Sequence, residues 1–224
     1  MSNEDKMKQL KKSLLPFAAL AMMTSTANAS LTFYDNQAIF DGLVATTLVD
    51  DYETGGSRDT ALPSLTRNGV TYTPLAGVPF HNVWLASPGY NNFGAGVGVT
   101  TTSILTANGD ERFTAVFANP VEAASFDAYR NGLGVSTVSV FNNSTLLGSF
   151  TANGSLDNKG FLGFISTGIA ITSFEWNSTL GGQLNTGIDN LRSAPMAVPA
   201  PSVAWLLGSG LLGLAGVARR RKAV

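Results

Sequence analysis

Five acidic residues in the middle of the chain are candidates for acid–base chemistry: Asp50, Asp51, Glu53, Asp127 and Glu175. Two carboxylates that flank a glycosidic bond can hydrolyse it, one as the acid and the other as nucleophile or base. Sequence spacing does not give the distance between two such groups, and acidic residues are also common on solvated β-sandwich surfaces. Glycoside hydrolysis is therefore the alternative function for this chain.

Aromatic rings beside amide side chains indicate carbohydrate binding, because a sugar stacks on a ring and hydrogen-bonds to neighbouring polar groups. The best exposed candidates are Tyr90, Asn91 and Asn92, which lie in a loop rich in glycine and proline. Trp84 and Trp176 also have asparagines nearby. Tryptophans in a sandwich often belong to its core, so both roles remain open for these two.

The composition excludes several other kinds of site. There is no cysteine, and the single histidine, His81, has no Gly-x-Ser-x-Gly motif to accompany it. Thiolate chemistry, cysteine-bound zinc and a Ser-His-Asp triad are therefore not expected. Between Ser30 and Pro195, 13 carboxylates stand against six basic side chains, a net charge of −7. Nucleic-acid binding needs clustered Lys and Arg, so no nucleic-acid partner is expected.

The elements that would hold these residues are predicted to be strands. Apolar residues alternate with polar ones over residues 112–117, 137–141 and 169–176, with Gly/Asn turns between the segments. A period of two is typical of β-strands, and strands of this kind predict an antiparallel sandwich. A further strand is predicted over 47–51, whereas residues 58–66 and 87–99 are predicted to be loops.

One short helix is predicted near the start of this region. Asp35 and Asn36 provide N-cap oxygens, and apolar residues with helical spacing follow them before Thr46. These apolar residues are Ile39, Phe40, Leu43 and Val44. We expect the helix to cover one end of the sandwich.

The N-terminal segment, residues 1–29, has the pattern of a secretory signal peptide. A basic stretch precedes an apolar run, and the run ends in the small residues Ala27 and Ala29 ahead of Ser30. We expect cleavage after Ala29, so that the exported domain covers residues 30–195.

The C-terminal segment, residues 196–224, predicts a membrane helix. Residues 203–218 are uncharged and mostly apolar, and four basic residues follow directly. Such a stretch approaches the length needed to cross a bilayer, and the basic cluster holds its end on the cytoplasmic side. This orientation agrees with an exported domain.

The same segment resembles the PEP-CTERM sorting signal of Gram-negative bacteria. That signal combines a proline motif, an apolar helix and a basic end, matched here by Val198, Pro199, Ala200, Pro201 and Ser202, by Leu-Leu-Gly-Leu, and by Arg219, Arg220, Arg221 and Lys222. Ala200 stands where the family usually has glutamate. The resemblance implies an exosortase-like membrane protease/transpeptidase as partner, attachment to the inner membrane before processing, and bacteria that make exopolysaccharide or biofilm matrix.

A second resemblance covers residues 117–191, which are similar to secreted bacterial jelly-roll domains. It rests on Phe117–Val121, Phe126–Tyr129, Phe161–Phe164 and Gly187–Leu191. It implies a jelly-roll-like β-sandwich and a structural calcium ion on Asp189, with partners among Asp35, Asp50, Asp51 and Asp127. The alternative role for Asp189 is to accept hydrogen bonds from backbone amides at a strand end.

Together these features predict an all-β, jelly-roll-like antiparallel β-sandwich with one short N-terminal helix, a cleavable signal peptide and a C-terminal transmembrane helix. The predicted function is a non-catalytic binding or structural role in the cell envelope or extracellular matrix, with exopolysaccharide as a candidate ligand. An adhesion module that binds other proteins would have the same fold.

Processing at both ends can be tested by mass spectrometry of the protein from its own cells. We expect a mature chain that begins at Ser30 and lacks residues 219–224, because export removes the first segment and sorting removes the last. A mature product that retains Arg219 to Val224 would contradict sorting.

Overall fold

The computed structural model describes residues 30–75, 82–89, 101–107, 111–129, 136–152, 160–178 and 186–196, and most of these lie in antiparallel strands. The helix in these ranges is α1 (Gln37–Asp41). The strands in these ranges are β1 (Ser30–Tyr34), β2 (Thr47–Asp50), β3 (Leu65–Arg67), β4 (Val70–Pro74), β5 (Val83–Ala86), β6 (Ile104–Ala107), β7 (Phe113–Tyr129), β8 (Ser136–Asn142), β9 (Thr145–Ala152), β10 (Gly160–Thr167), β11 (Ile171–Ser178) and β12 (Gly187–Pro195).

The long strand β7 belongs to two layers. Its first half pairs with β4 and β11, and the first layer has the order β3-β4-β7-β11-β8-β9. Its second half pairs with β10 and β12, and the second layer has the order β1-β10-β7-β12. On the far side of β12 lie β2 and β6, with β5 beside β6. The strands thus form one continuous sheet that curls back on itself.

The change of partners on β7 occurs near Val121. Val70 to Pro74 of β4 pair with Phe117 to Phe113, whereas β10 and β12 pair only with positions from Val121 onward. Asn119 and Pro120 have no strand partner among the described residues and are exposed. Proline has no backbone N–H to donate, so Pro120 removes no hydrogen bond from the sheet at this unpaired position.

Aromatic side chains of the two layers meet in the core. Phe126 of the second layer stacks on Phe174 of the first, with ring centroids 5.2 Å apart, and meets Trp176 edge-on at 6.0 Å. Phe164 contacts Phe174 at 5.8 Å. These rings are essentially fully buried, and such pairs add about 0.5–1.5 kcal/mol each to the hydrophobic free energy of burial.

The predicted all-β class with one short helix is confirmed, and the strands predicted over 47–51, 112–117, 137–141 and 169–176 correspond to β2, β7, β8 and β11.

The helix differs from its prediction in length and position. Asn36 is its N-cap, accepting a hydrogen bond from the Ile39 backbone N–H at 3.1 Å, but the helix ends at Asp41. Phe40 packs with Ala123 and Ala194 on the outer face of the second layer, so α1 covers a face of the sandwich and not an end. The apolar residues at helical spacing were misleading, because within α1 only Phe40 is buried.

No helix within the described ranges has the length and apolar character needed to cross a membrane.

The predicted loop over 58–66 is also partly wrong. Leu62 exchanges two backbone hydrogen bonds with Val83 of β5, at 2.9 and 2.8 Å, and β3 begins at Leu65. Next to this pairing, the Ser87 backbone N–H and hydroxyl donate to the Asp59 carboxylate at 3.0 and 2.6 Å. The segment therefore covers the exposed edge of β5, where an unpaired strand would favour aggregation.

An ion pair joins the two layers at one edge. The Arg67 guanidinium of β3 donates two hydrogen bonds to the Asp50 carboxylate of β2, at 2.6 and 2.9 Å. Two further N–H groups of Arg67 donate to the carbonyl oxygens of Thr54 and Gly55. Both charged side chains are largely buried. Buried pairs with this two-point geometry and satisfied donors hold their partners in one arrangement.

Two tyrosines strengthen the same edge. The hydroxyls of Tyr52 and Tyr72 are hydrogen-bonded at 2.8 Å, and neither side chain is exposed. Burial raises the pKa of both phenols, so they stay neutral. This contact links the segment after β2 to β4 of the opposite layer.

Replacing Arg67 should destabilise the fold strongly. Arg67→Met leaves the buried Asp50 carboxylate without its cation, and we expect the free energy of unfolding to fall by about 3–5 kcal/mol. Urea denaturation measures this change. Asp50→Asn in the Arg67→Met background removes the uncompensated charge and should restore part of the loss. An Arg67→Met protein as stable as the wild type would show that the pair contributes nothing.

The Asp59–Ser87 contact predicts a pH-dependent stabilisation. The Ser87 hydroxyl, and after it the Ser87 amide, hold the pKa of Asp59 below its ordinary value. The contact therefore stabilises the fold fully above the ordinary carboxyl pKa, and this stabilisation is lost as pH falls through the lowered value. In Ser87→Ala we expect the pKa of Asp59 to rise, as followed by NMR titration of its carboxyl carbon. An unchanged titration midpoint would refute the role of the hydroxyl.

Candidate functional site

Several residues singled out by sequence lie outside the described residues. These are the loop residues Tyr90, Asn91 and Asn92, the histidine His81, the signal residues Ala27 and Ala29, and the whole sorting motif from Val198 to Lys222. Their roles remain predictions. Ser30, the expected first residue of the mature chain, begins β1, and its hydroxyl is hydrogen-bonded to the Thr167 hydroxyl at 2.8 Å.

The two tryptophans have different environments. Trp176 is completely buried, and its indole N–H donates to the Thr186 hydroxyl at 2.8 Å. Its proposed role as a sugar-binding platform is therefore wrong, because both faces of the ring pack within the core. Trp84 lies on β5 opposite Thr106 and is half-buried between the buried Val83 and Leu85. The structure leaves its role in ligand binding open.

Three of the five candidate carboxylates have structural partners close by. Asp50 binds Arg67, and Asp51 accepts a hydrogen bond from the Glu53 backbone N–H at 3.0 Å. Glu53 accepts from the Ser103 amide and hydroxyl at 2.8 and 3.2 Å. These contacts attach the segment after β2 to β3 and to the start of β6. The three carboxylates therefore order loops, and they do so at different places.

Asp127 and Asp189 are the acidic residues that the fold brings together. They lie opposite one another on β7 and β12, and the Asn190 side-chain amide donates to both, at 2.8 and 3.2 Å. Asp189 also accepts from the Asn190 backbone N–H at 2.6 Å. Asn190 has a positive φ of 50° at an irregularity in β12, a conformation that asparagine tolerates.

This arrangement bears on the calcium prediction. Asp127 was one of the expected partners of Asp189, and the two are adjacent. Among the described residues no group of three or more acidic or histidine side chains is placed to hold a metal ion. Calcium binding through Asp189 stays a prediction.

A notch between the layers lies where β7 changes partners. It has a volume of about 270 Å³ and lies between β2 and β12 on one side and the β3–β4 turn on the other. Val70, Phe117 and Val121 form an apolar floor that is almost completely buried. Four neutral polar residues line it as well: Thr47, Asn68, Asn119 and Ser193. The lining holds no charged side chain.

The turn beside the notch depends on unusual backbone angles. Asn68 and Gly69 have φ values of 45° and 80°, a left-handed pair that suits a two-residue hairpin turn. The Asn68 amide then reaches across the gap and donates to the Val49 carbonyl at 2.9 Å. On the opposite rim, the Asn119 amide has no hydrogen-bond partner among the described residues, so its donors and acceptor face solvent.

Such a cavity is suited to a neutral ligand with both apolar and hydroxyl groups. Its volume is just below the usual range for small-molecule sites, so it fits no more than about one sugar ring. Sequence analysis did not single out the four polar residues. The one local signal was Asn119-Pro120 inside a strand pattern, which marks a break in strand pairing.

No family model matches the chain, and no curated protein matches it. Solved structures superimpose weakly: a CBM29-2 mutant from work on ligand recognition by family 29 carbohydrate binding modules is 10% identical and has a TM-score of 0.35, over 70% of this chain and 99% of the other. A CBM29-2 mutant in complex with mannohexaose is 14% identical, with a TM-score of 0.29 over 55% of this chain and 91% of the other. At this level of similarity the superpositions carry no argument about ligand or ancestry.

Proposed function

We propose that this chain is an exported protein of the cell envelope or extracellular matrix of a Gram-negative bacterium that binds polysaccharide without catalysis. In this proposal an exosortase-like enzyme recognises the C-terminal segment, and the sandwich supplies the ligand-binding surface. The sorting part rests on the sequence motif and is tested by the masses of the mature chain.

The binding part rests on the notch. The apolar floor suits the C–H groups of a sugar at its surface, and the amides and hydroxyls around the floor suit the hydroxyl groups of the sugar. The absence of charged side chains from the lining favours a neutral sugar over an acidic one. None of the five candidate carboxylates lines the notch, so the observation supports binding and gives no support to the hydrolase alternative.

The notch lies close to the end of the sandwich domain. Ser193 and Pro195, both part of its lining, belong to the last strand before the sorting segment. A glycan bound in the notch would therefore contact the domain close to its C-terminal end, where the proposed sorting segment begins.

Variants of the notch test the proposal. The exported chain is titrated with neutral oligosaccharides by calorimetry, and Asn119→Ala should weaken binding about two- to tenfold because one exposed amide is lost. Thr47→Phe fills the mouth of the notch and should abolish binding. Ser144→Ala, an exposed change at the β8–β9 turn, is the control. Binding that is unchanged in both notch variants would overturn the proposal.

A further inference from the structure

The outer face of the first layer carries a row of polar side chains that crosses five strands. The row consists of residues in direct register, on β4, β7, β11, β8 and β9 in that order: Thr73, Thr114, Glu175, Ser139 and Ser149. We call it the hydroxyl row. Neighbouring strands are about 4.8 Å apart, so its five positions span about 19 Å.

The side chains of the hydroxyl row point away from the core. Their neighbours along each strand, such as Tyr72, Phe113, Phe174 and Val138, are buried between the layers. Since successive side chains of a strand point to opposite faces, the row faces solvent. The row residues are partly or fully exposed.

Further neutral polar residues flank the hydroxyl row. Thr66 and Thr71 lie on one side, with their hydroxyls 3.0 Å apart. Thr137 and Asn177 form a register pair on the other side. Within the row, the hydroxyls of Ser139 and Ser149 are 2.8 Å apart. Hydroxyl and amide groups at regular spacing can donate to and accept from the hydroxyls of a sugar chain.

Glu175 is the exception in this neutral row. It lies at the centre, between Thr114 and Ser139, and its carboxylate has no hydrogen bond or ion pair within the described structure. Arg112, two residues before Thr114 and just ahead of β7, forms no ion pair with Glu175. Burial raises the pKa of Glu175. The carboxylate is therefore partly desolvated, and it has no positive partner among the described residues.

We propose that this face binds a polysaccharide that contains amino sugars with free amines. An ammonium group pairs with the Glu175 carboxylate, and the hydroxyl groups of neighbouring sugar units bond to the threonines and serines of the row. A partly desolvated carboxylate among neutral donors gains most from a ligand that brings a positive charge and hydroxyl groups together.

The charge of the whole domain favours the same ligand. Residues 30–195 carry a net charge of −7, and an excess of negative charge attracts a polycation before contact. This face is separate from the notch, whose lining shares no residue with the hydroxyl row. The inference therefore goes beyond the proposed function and does not depend on the notch.

The test compares an oligosaccharide that carries free amines with one in which the same amines are acetylated and therefore uncharged. Binding of a glucosamine oligomer with free amines and of its N-acetylated counterpart is measured on the full exported chain. We expect the amine form to bind at least tenfold more tightly. Glu175→Gln, which keeps the shape and removes the charge, should lower binding of the amine form about tenfold and leave the acetylated form unchanged.

Control variants separate a specific contact from general attraction. Asp41→Asn removes one negative charge at the exposed end of α1, and we expect no change. Thr114→Val keeps the strand propensity and volume of threonine but removes its hydroxyl, and should weaken binding of both oligomers two- to fivefold. Equal binding of the two oligomers to the wild type, or equal losses in Asp41→Asn and Glu175→Gln, would overturn the proposal.

The same variants distinguish this inference from the function proposed for the notch. If Asn119→Ala and Thr47→Phe weaken neutral-sugar binding while Glu175→Gln changes nothing, the inference fails and the notch stands. If Glu175→Gln selectively removes amine binding while the notch variants bind neutral sugars normally, the notch proposal fails and the inference stands.

Discussion

The strand β7 is the constraint on which the rest of the structure depends. Because one uninterrupted chain segment pairs in both layers, the register of four neighbouring strands is fixed relative to a single backbone. A shift of one residue would turn Phe113, Phe117 and Phe126 away from the core on both sides of the bend. The alternation of buried and exposed residues before Val121 fixes the first layer, and the almost continuous burial after it reflects the cover that α1 and other segments provide.

The bend in β7 also explains where the notch lies. Two layers that share a strand diverge from it, and a gap opens beside the residues that have no ladder partner. The gap is kept at a fixed width because Arg67 and Asp50 join β3 to β2, while Tyr72 and Tyr52 join β4 to the segment that follows β2. Several acidic residues of the domain are thus committed to fixing its structure, and the number of carboxylates in the sequence says little about catalysis.

The sequence was a good guide where the pattern was local. Alternation around Phe113, Val138 and Phe174 identified strands, and Asn36 identified the start of α1. The length of the helix was wrong because Leu43 and Val44 continue a helical spacing although the chain turns toward β2 at Gly42. The pairing of Leu62 with β5 and of β3 with β4 was missed. The segment that contains Leu62 and β3 has few apolar residues, so its sequence does not show the alternation typical of a strand.

The sites were harder to predict because their residues are far apart in the sequence. Asn68 and Asn119 line the same notch only because β4 pairs with β7, and Glu175 and Thr73 belong to one row only through Thr114. No local pattern distinguishes Thr114 from any other exposed strand threonine. Asp189 was identified through a family resemblance, and its neighbour Asp127 was among the expected partners. Sequence could not decide whether Trp176 lies in the core or at the surface, because the residue that covers it, Phe126, belongs to the opposite layer.

The positions of the two polar surfaces constrain how the domain could meet the ligands proposed for it. The notch adjoins β12, the last strand of the described residues, whereas the hydroxyl row crosses to β9 at the far edge of the first layer. The two surfaces share no residue, so they can contact separate chains or separate stretches of one chain. Each contact is weak by itself because exposed hydrogen bonds contribute little net free energy. When one surface has bound, the other surface is held near the ligand at a raised effective concentration, so two weak contacts together bind more tightly than either alone. Under both proposals, a dense matrix would retain the protein better than short soluble oligosaccharides, because only a matrix reaches the two surfaces at once.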